Sequence, residues 1–261
     1  MALAPQHVLS VLCRRLEGCI VLSSHELGAL HALPTVVRRL PAGSPLDSGV
    51  RRIEVLLSGV ACRYTVSRSG RRQIISYFFP GDFCGSLSGE PPLSGHPTAT
   101  LSATTTASLS DESIALLSSR LVRVLRGFEL AEYANTRQWL INLGQRNALE
   151  RASHLLCEVF LRLGRVGLTS MNRCALPLTQ TDLADALAIT SVHMNRTLMT
   201  LRRLKVASLL QCWLTLYDFE QLKNIAGFTP DYLGINTPLH PSPPAALDPA
   251  ASAGIEDTVS L

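Results

Sequence analysis

Hydrophobic positions change their spacing twice along the chain, which predicts a helical beginning, a strand-rich middle and a helical end. Residues 1 to about 33 carry apolar residues at helical spacing, and Pro34 ends that segment. From Thr35 to Ser110 the apolar positions partly alternate and β-branched residues are frequent, as is typical of strands. Helical spacing returns at about Asp111 and continues to Leu163. The pattern therefore predicts an α+β fold.

Turn signals divide the middle region into several short strands. The run RIEVLLSGVACRYTVSR contains Gly59, which suggests a bend or bulge, and Ser69-Gly70 marks a turn before the returning strand RRQIISYFF. Pro80-Gly81-Asp82 marks another turn, and TATLSATTTASLS reads as one threonine-rich strand that is polar at alternate positions. Short strands at this spacing predict a small β-barrel or sandwich.

The helical region that follows has two glycines, Gly127 and Gly144, which we expect to act as joints. Four residues between them fit two heptads of a dimer seam. They are Tyr133, Thr136, Leu140 and Leu143. A coiled coil usually shows at least three or four heptads, so an ordinary core helix fits the same pattern nearly as well.

The stretch from Thr179 to Leu204 contains two short helical patterns separated by a tight break. Thr179 and Asp182 have the spacing of a capping box, which marks a helix start. The pattern breaks at Ala188-Ile189, after which Thr190 and Ser191 can cap a new helix. This arrangement predicts a helix-turn-helix, a motif whose second helix enters the DNA major groove. ASLLQCWLTLYD then predicts a two-stranded wing, and FEQLKNIAGF predicts a closing helix.

Charge supports DNA binding only where it is concentrated, because the 261-residue chain has a net charge of just +4. Polar residues cluster at the start of the second predicted helix. Arg202, Arg203 and Lys205 follow it, and no acidic residue occurs before Asp218. A solvated helix face usually mixes charges of both signs, so this surface favours DNA over an ordinary pair of amphipathic helices.

Other function classes lack their usual signatures. No apolar run approaches the roughly 18 residues of a membrane span and no signal-peptide pattern is present, so we expect a cytoplasmic protein without a membrane partner. H-x-x-x-H, C-x-x-C, G-x-S-x-G and glycine-rich phosphate loops are absent from the sequence, which argues against an enzyme. Residues 230–261 are rich in proline and small residues and are expected to form a disordered tail.

The order of these elements resembles the CRP/FNR family of bacterial transcription regulators over about residues 10 to 230. GRRQIISYFFPGDFCG and LTQTDLADALAITSVHMNRTLMTLRRL carry the resemblance. It implies a cyclic-nucleotide-binding-like jelly-roll barrel with an N-terminal helix over residues 1–127, a connecting and dimerisation helix over 128–147, and a winged helix-turn-helix over 148–229. It also implies a homodimer on a two-fold-symmetric duplex DNA site, with the barrel as sensor and RNA polymerase as a further partner.

The resemblance assigns DNA contacts to both helices of the motif. Thr179, Gln180 and Thr181 fall where relatives contact phosphate, and Arg202 is a further phosphate candidate. Exposed hydroxyls and N–H groups at a helix start independently suit phosphate oxygens.

The predicted base-contacting residues lie in the second helix. They are Ser191, Val192, His193, Asn195 and Arg196. Arginine can donate two hydrogen bonds to guanine, which makes Arg196 the strongest of them. An alternative for Arg196 is a salt bridge to Asp182 or Asp185. His193 and Asn195 could instead be ordinary solvated helix residues.

Two positions in the motif depart from the family pattern. Ala188 stands where the tight turn usually has glycine, which implies a strained left-handed residue, and Thr197 replaces a usual apolar core residue. Neither change removes the motif. The alternative to a DNA-binding regulator is a ligand-binding or protein-interaction module whose winged helix contacts protein.

The predicted sensor barrel departs further from the family pattern than the helix-turn-helix does. Gly85, Ser86, Leu87 and Thr98 mark the effector pocket by position. Relatives that bind cyclic AMP hold its phosphate with a glutamate and an arginine, and those places are Ser86 and Pro97 here. Without the arginine, nothing obvious neutralises a buried phosphate, so we expect no cyclic AMP binding in the family manner.

Oxygen-sensing relatives hold an iron–sulfur cluster with four cysteines. Cys13 and Cys19 match two of the three N-terminal ligands, but the first place is Ser10; Cys62 or Cys84 could supply the barrel ligand. Three cysteines and a serine make a poor cluster site. We therefore expect no metal or cofactor, and reduced, packed thiols instead.

Overall fold

The structure is a computed structural model that describes residues 8–46, 52–85, 87 and 95–234. Its helices are α1 Ser10–Glu17, α2 Ser24–His31, α3 Asp111–Ala115, α4 Ser119–Gln145, α5 Ala148–Arg165, α6 Gln180–Leu187, α7 Ser191–Arg203 and α8 Phe219–Ala226. Its strands are β1 Val36–Leu40, β2 Arg52–Ser58, β3 Ala61–Val66, β4 Arg72–Phe78, β5 Phe83–Cys84, β6 Thr98–Thr100, β7 Thr104–Ser110, β8 Thr169–Ser170, β9 Arg173–Ala175, β10 Ala207–Leu210 and β11 Trp213–Leu216. The order of helices and strands confirms the predicted α+β class.

The N-terminal segment forms two helices where one was predicted. Ser23 caps α2: its hydroxyl accepts the Glu26 N–H, and the Glu26 carboxylate accepts the Ser23 N–H. This capping box starts a new helix after the chain has turned at Gly18. The apolar stripe of α1 nevertheless behaves as expected, with Leu12 and Leu16 buried.

The barrel consists of two antiparallel sheets that face each other, in the orders β1-β7-β2-β5 and β4-β3-β6. The predicted bend at Gly59 is confirmed by its φ of +84°, and a Cβ there would lie 2.5 Å from the Ala103 carbonyl oxygen. The single threonine-rich strand is wrong, because the run divides into β6 and β7. These two strands pair in different sheets, and alternation of polar residues cannot show where a chain changes sheet.

The connecting helix α4 begins at Ser119 and continues unbroken through Gly127, so the predicted joint at that glycine is wrong. Glycine lowers helix propensity by only about 1 kcal/mol, which packing of the apolar face of α4 overcomes. The helix ends one residue after Gly144. Asn147 then caps α5 by accepting the N–H groups of Leu149 and Glu150.

The C-terminal part contains the predicted motif and wing. Strands β10 and β11 form the wing within a sheet of order β10-β11-β9-β8, and α8 closes the domain. The hairpin of β8 and β9 was not predicted, because strands of two and three residues leave too short a pattern.

The predicted disordered tail is wrong for its first residues, 230–234. Asp231–Leu233 forms a 3-10 helix, and Tyr232 donates a hydrogen bond to Glu158 in α5. The apolar side chain of Leu233 is buried, so this end of the chain packs despite its proline. Residues 235–261 of the predicted tail lie outside the described residues.

One apolar core joins the barrel to the C-terminal part. Ile74 and Tyr77 of the barrel belong to the same buried cluster as Trp139, Leu155 and Leu183. The helix-turn-helix is thus packed against the barrel. In the described ranges, no helix is both long enough and apolar enough to cross a membrane.

Candidate nucleic-acid interface

The first helix of the motif starts at the predicted capping box. The Thr179 hydroxyl accepts the Asp182 N–H at 3.0 Å, and Asp182 Oδ2 accepts the Thr179 N–H at 2.9 Å. The same carboxylate oxygen accepts the Thr179 hydroxyl proton at 2.5 Å. The predicted phosphate contacts Thr179, Gln180 and Thr181 are all exposed at this helix start. Their N–H groups and side chains therefore surround the positive end of the α6 dipole.

The turn between the helices has the strain that the sequence predicted. Ala188 lies in the left-handed region at φ 53° and ψ 43°, and its N–H donates to the Ala184 carbonyl. That conformation costs an alanine about 1 kcal/mol more than glycine. Thr190 then caps α7 by accepting the His193 N–H at 3.1 Å, so Ser191 becomes the first residue of the helix.

The inner face of α7 anchors it in the domain core. Met194, Leu198 and Leu201 are buried at helical spacing. Thr197 is buried with them, and its hydroxyl donates to the His193 carbonyl at 3.0 Å. That local hydrogen bond satisfies the hydroxyl, which explains how a polar residue occupies an apolar position.

The outer face of α7 presents its N-terminal end to solvent. Ser191, Val192, His193 and Arg196 are exposed there, with Val192 at 61%. The alternative salt bridge for Arg196 is wrong. Asp182 and Asp185 are both ion-paired with Arg72 of the barrel, at 2.6 and 2.7 Å.

Asn195 has a different environment from its neighbours. It is half-buried, and its Nδ2 donates to Gln180 Oε1 at 2.9 Å. The bond connects the second helix of the motif to the exposed start of the first. It leaves the amide nitrogen of Gln180 available as a donor, which suits a phosphate oxygen.

Positive charge continues beyond the exposed start of α7. Arg202, Arg203 and Lys205 are exposed. Arg173 on β9 was missed, because a two- to three-residue strand gives no pattern to place it. Its guanidinium lies 4.1 Å from the ring centroid of Trp213 in the wing. The wing sheet therefore adds a cation held by an aromatic ring.

The predicted effector residues are not gathered around the cavity beneath α4. This cavity of about 30 Å³ lies between the barrel and α4, and its lining includes Phe78, Phe83, Glu132 and Thr136 but not Gly85, Leu87 or Thr98. Leu87 is buried in the core, with its N–H donating to Glu129. Ser86 lies outside the described residues.

One arginine of β3 already has a carboxylate partner. Arg63 is ion-paired with Glu132 of α4 and stacks over the Phe78 ring. Burial raises the pKa of Glu132, although Arg63 opposes that rise. A phosphate entering here would have to displace a carboxylate that the arginine already holds.

The cysteines considered as ligands of an iron–sulfur cluster have different surroundings. Burial raises the pKa of the Cys13 thiol to about 11 and that of Cys62 to about 12. The Cys19 sulfur instead accepts a hydrogen bond from Arg165 at 3.0 Å, and Ser10 is the first residue of α1. No group of three or more histidine, cysteine or acidic side chains could hold a metal ion within the described part of the chain.

Comparison with known proteins agrees with this geometry. The profile of the Crp-like helix-turn-helix domain matches residues 139–225. The nitrogen fixation regulation protein FixK of Bradyrhizobium diazoefficiens is 27% identical over 172 residues, covering 66% of this chain and 72% of FixK. The transcriptional activatory protein AadR of Rhodopseudomonas palustris is 30% identical over 154 residues, covering 58% of this chain and 63% of AadR.

Solved structures share the fold. FixK2 from Bradyrhizobium japonicum aligns with a TM-score of 0.62 at 20% identity, covering 76% of this chain and all of that one. A CooA mutant from Carboxydothermus hydrogenoformans aligns with a TM-score of 0.53 at 16% identity, covering 86% of this chain and 98% of that one. The matched residues form a Crp-like helix-turn-helix, and together with the jelly-roll barrel, the long helix and the exposed α7 the comparisons support a DNA-binding transcription regulator of the CRP/FNR type.

Proposed function

We propose that this regulator binds a two-fold-symmetric duplex site as a homodimer and that α7 of each subunit reads one half-site. The observation that carries the proposal is the exposed start of α7, where Arg196 has no carboxylate partner in the described residues. A free guanidinium at that place can donate two hydrogen bonds to guanine O6 and N7. Ser191, Val192 and His193 stand beside it, and a valine can contact a thymine methyl group.

Phosphate contacts would fix the position of α7 in the groove. Thr179, Gln180 and Thr181 would bind the backbone on one side of the reading helix, and Arg202 on the other. Asn195 would contribute in two ways, by orienting Gln180 and by offering its free carbonyl oxygen to a base. Selection of bound duplexes from a random library, followed by affinity measurements on the best palindrome, tests the proposal. Recovery of no enriched sequence would reject it.

Dimerisation would use the solvent-facing side of α4. Leu130, Tyr133 and Leu140 are 67%, 66% and 72% exposed, and they follow the alternating spacing of three and four residues that includes Arg137. Apolar side chains this exposed along one helix face are suited to a partner helix. Of the seam predicted from sequence, Thr136 is also exposed, whereas Leu143 is half-buried.

The barrel would transmit an effector signal to the DNA-binding domain through the shared core. Cyclic AMP is a poor candidate for that effector, because Arg63 is committed to Glu132. The expected domain limits would then assign effector binding to residues 1–127, dimerisation to 128–147 and DNA binding to 148–229. The start of α4 is counted as part of the barrel in this division. A protein that binds chromosomal DNA would act in the cytoplasm, where RNA polymerase would be its partner in regulation.

A further inference from the structure

The turn between β3 and β4 carries an unusual concentration of positive charge. Arg68 and Arg71 lie in this turn and are exposed, and no ion pair involves either of them in the part of the chain that the structure describes. The segment from Ser67 to Arg71 is named here the basic turn. It belongs to the sensor barrel and not to the helix-turn-helix.

The basic turn is held in one shape by its own hydrogen bonds. Ser67 N–H donates to the Arg71 carbonyl and Gly70 N–H to the Ser67 carbonyl, both at 2.9 Å. The Ser67 hydroxyl accepts the Arg71 N–H at 3.2 Å. Gly70 has a φ of +79°, which glycine adopts without strain. The two arginines therefore project from a preorganised turn, which lowers the entropic cost of using them for binding.

This turn stands beside the predicted DNA-contacting surface. A groove of about 720 Å³ separates them, with Ser67, Gly70 and Arg71 on one wall. The other wall includes Thr181 and Ser191, a predicted phosphate contact and a predicted base contact. The surface that would face DNA is thus continuous across the groove from α7 to the barrel.

The carboxylate that lines the groove is ion-paired. Asp185 lines it, but its Oδ2 is bonded to Arg72 Nε at 2.7 Å. Asp182 is bonded to the same guanidinium. The single charge of Arg72 balances one of these two acids, so with Arg68 and Arg71 counted the five residues carry a net charge of about +1.

We propose that the basic turn is a second DNA-contacting surface, in which Arg68 and Arg71 bind backbone phosphates beside the half-site read by α7. The inference rests on the DNA-binding function and extends it to the sensor barrel. Duplex DNA carries a phosphate charge about every 1.7 Å along its axis, and arginine matches phosphate geometry with two parallel hydrogen bonds. Such contacts add affinity without reading sequence.

The test measures how DNA affinity depends on salt, using the full-length homodimer and its best palindromic duplex between 50 and 200 mM salt. Each lost phosphate contact lowers the slope of log affinity against log salt by about 0.9. In the homodimer, Arg68→Ala combined with Arg71→Ala removes two arginines from each subunit. It is expected to lower the slope by up to about 3.6 and to weaken binding at least about tenfold at the lowest salt. The ranking of duplex sequences should not change.

Arg71→Ala has a matched control in Arg39→Ala, which removes the same charge from an exposed position on β1 of the same barrel. The control should keep the parent slope. The inference is overturned if the basic-turn variants also keep the parent slope, whether or not their affinity falls. Absence of DNA binding by the parent protein would instead reject the proposed function itself.

Discussion

Arg72 of the barrel and Asp182 of the helix-turn-helix form an ion pair, with 2.6 Å between Nη2 and Oδ1. The second oxygen of the same carboxylate caps α6 through Thr179. Tyr77 of the barrel donates its hydroxyl proton to the Asp182 backbone carbonyl at 2.9 Å. One residue at the start of the DNA-binding motif is therefore held by both units, which couples the orientation of α6 to the barrel.

Removal of the Arg72 side chain should loosen this coupling. Burial alone would lower the pKa of Arg72, but Asp185 and Asp182 raise it above its ordinary value, so the guanidinium is charged and engaged. Arg72→Ala is expected to lower the free energy of unfolding by about 2 kcal/mol, because two partly buried carboxylates lose their partner. Hydrogen exchange should accelerate in β4 and at the start of α6. Unchanged exchange in both segments would contradict the coupling.

Variants of the two aspartates distinguish the contribution of the capping box to stability from that of the ion pair. Asp185→Ala removes only a bond to Arg72, whereas Asp182→Ala also removes the carboxylate that accepts the Thr179 N–H in the capping box. A hydrogen bond of this kind contributes about 1 kcal/mol. Asp182→Ala should therefore be the more destabilising variant by about that amount in urea unfolding. Equal losses of stability would show that the capping box contributes nothing measurable.

The helix-turn-helix could be predicted from the sequence because its signals are local. The capping pair Thr179 and Asp182 and the break at Ala188 each lie within one or two helical turns. The contacts of Arg72 could not be predicted, because they join residues 110 and 113 positions apart in the chain. The exposed start of α7 was therefore predictable, while the basic turn beside it depends on how the barrel packs.

The proposed seam can be tested by placing a charge on α4. Leu140→Glu should shift sedimentation equilibrium from dimer to monomer, since two carboxylates would face each other across the seam without a partner. Leu116→Glu is the control, because Leu116 is similarly exposed, at 66% against 72%, but lies before α4. A Leu140→Glu protein that remains as dimeric as the control would exclude this face as the seam.

His154 is expected to make stability depend on pH. It is fully buried between the rings of Phe228 and Tyr232, and burial, followed by the charge of Arg146, lowers its pKa to about 4. An unfolded histidine titrates near 6.5, so below that pH the unfolded chain takes up a proton that the folded protein does not. Stability should therefore fall by about 2–3 kcal/mol between pH 7.5 and 4.5 from this residue alone.

The variant His154→Gln isolates this contribution. It is expected to be less stable than the parent at pH 7.5 and to lose less of its remaining stability down to pH 4.5, measured by urea unfolding at each pH. Glu26, whose pKa is lowered to about 2 by its hydrogen bonds with Ser23 and Arg120, titrates below this window in the folded protein. Parallel stability curves for the parent and the variant would show that His154 is not responsible.

Calorimetric titration tests whether the barrel binds cyclic AMP. No heat of micromolar binding is expected when cyclic AMP is added to the parent protein, because Pro97 replaces the phosphate-binding arginine and Glu132 occupies Arg63. Glu132→Ala frees Arg63 and is the variant in which weak binding could first appear. Micromolar affinity in the parent would refute the expectation.

In the proposed function, the start of α7 reads DNA bases through Arg196. The most direct measurement compares Arg196→Ala with Arg202→Ala on the best palindrome and on every single-base-pair variant of one half-site. Arg196→Ala should weaken binding to the best site by about 1–3 kcal/mol and abolish discrimination at one base pair. Arg202→Ala should weaken binding uniformly. Unchanged binding of Arg196→Ala to its best site, with all discrimination retained, would contradict the claim.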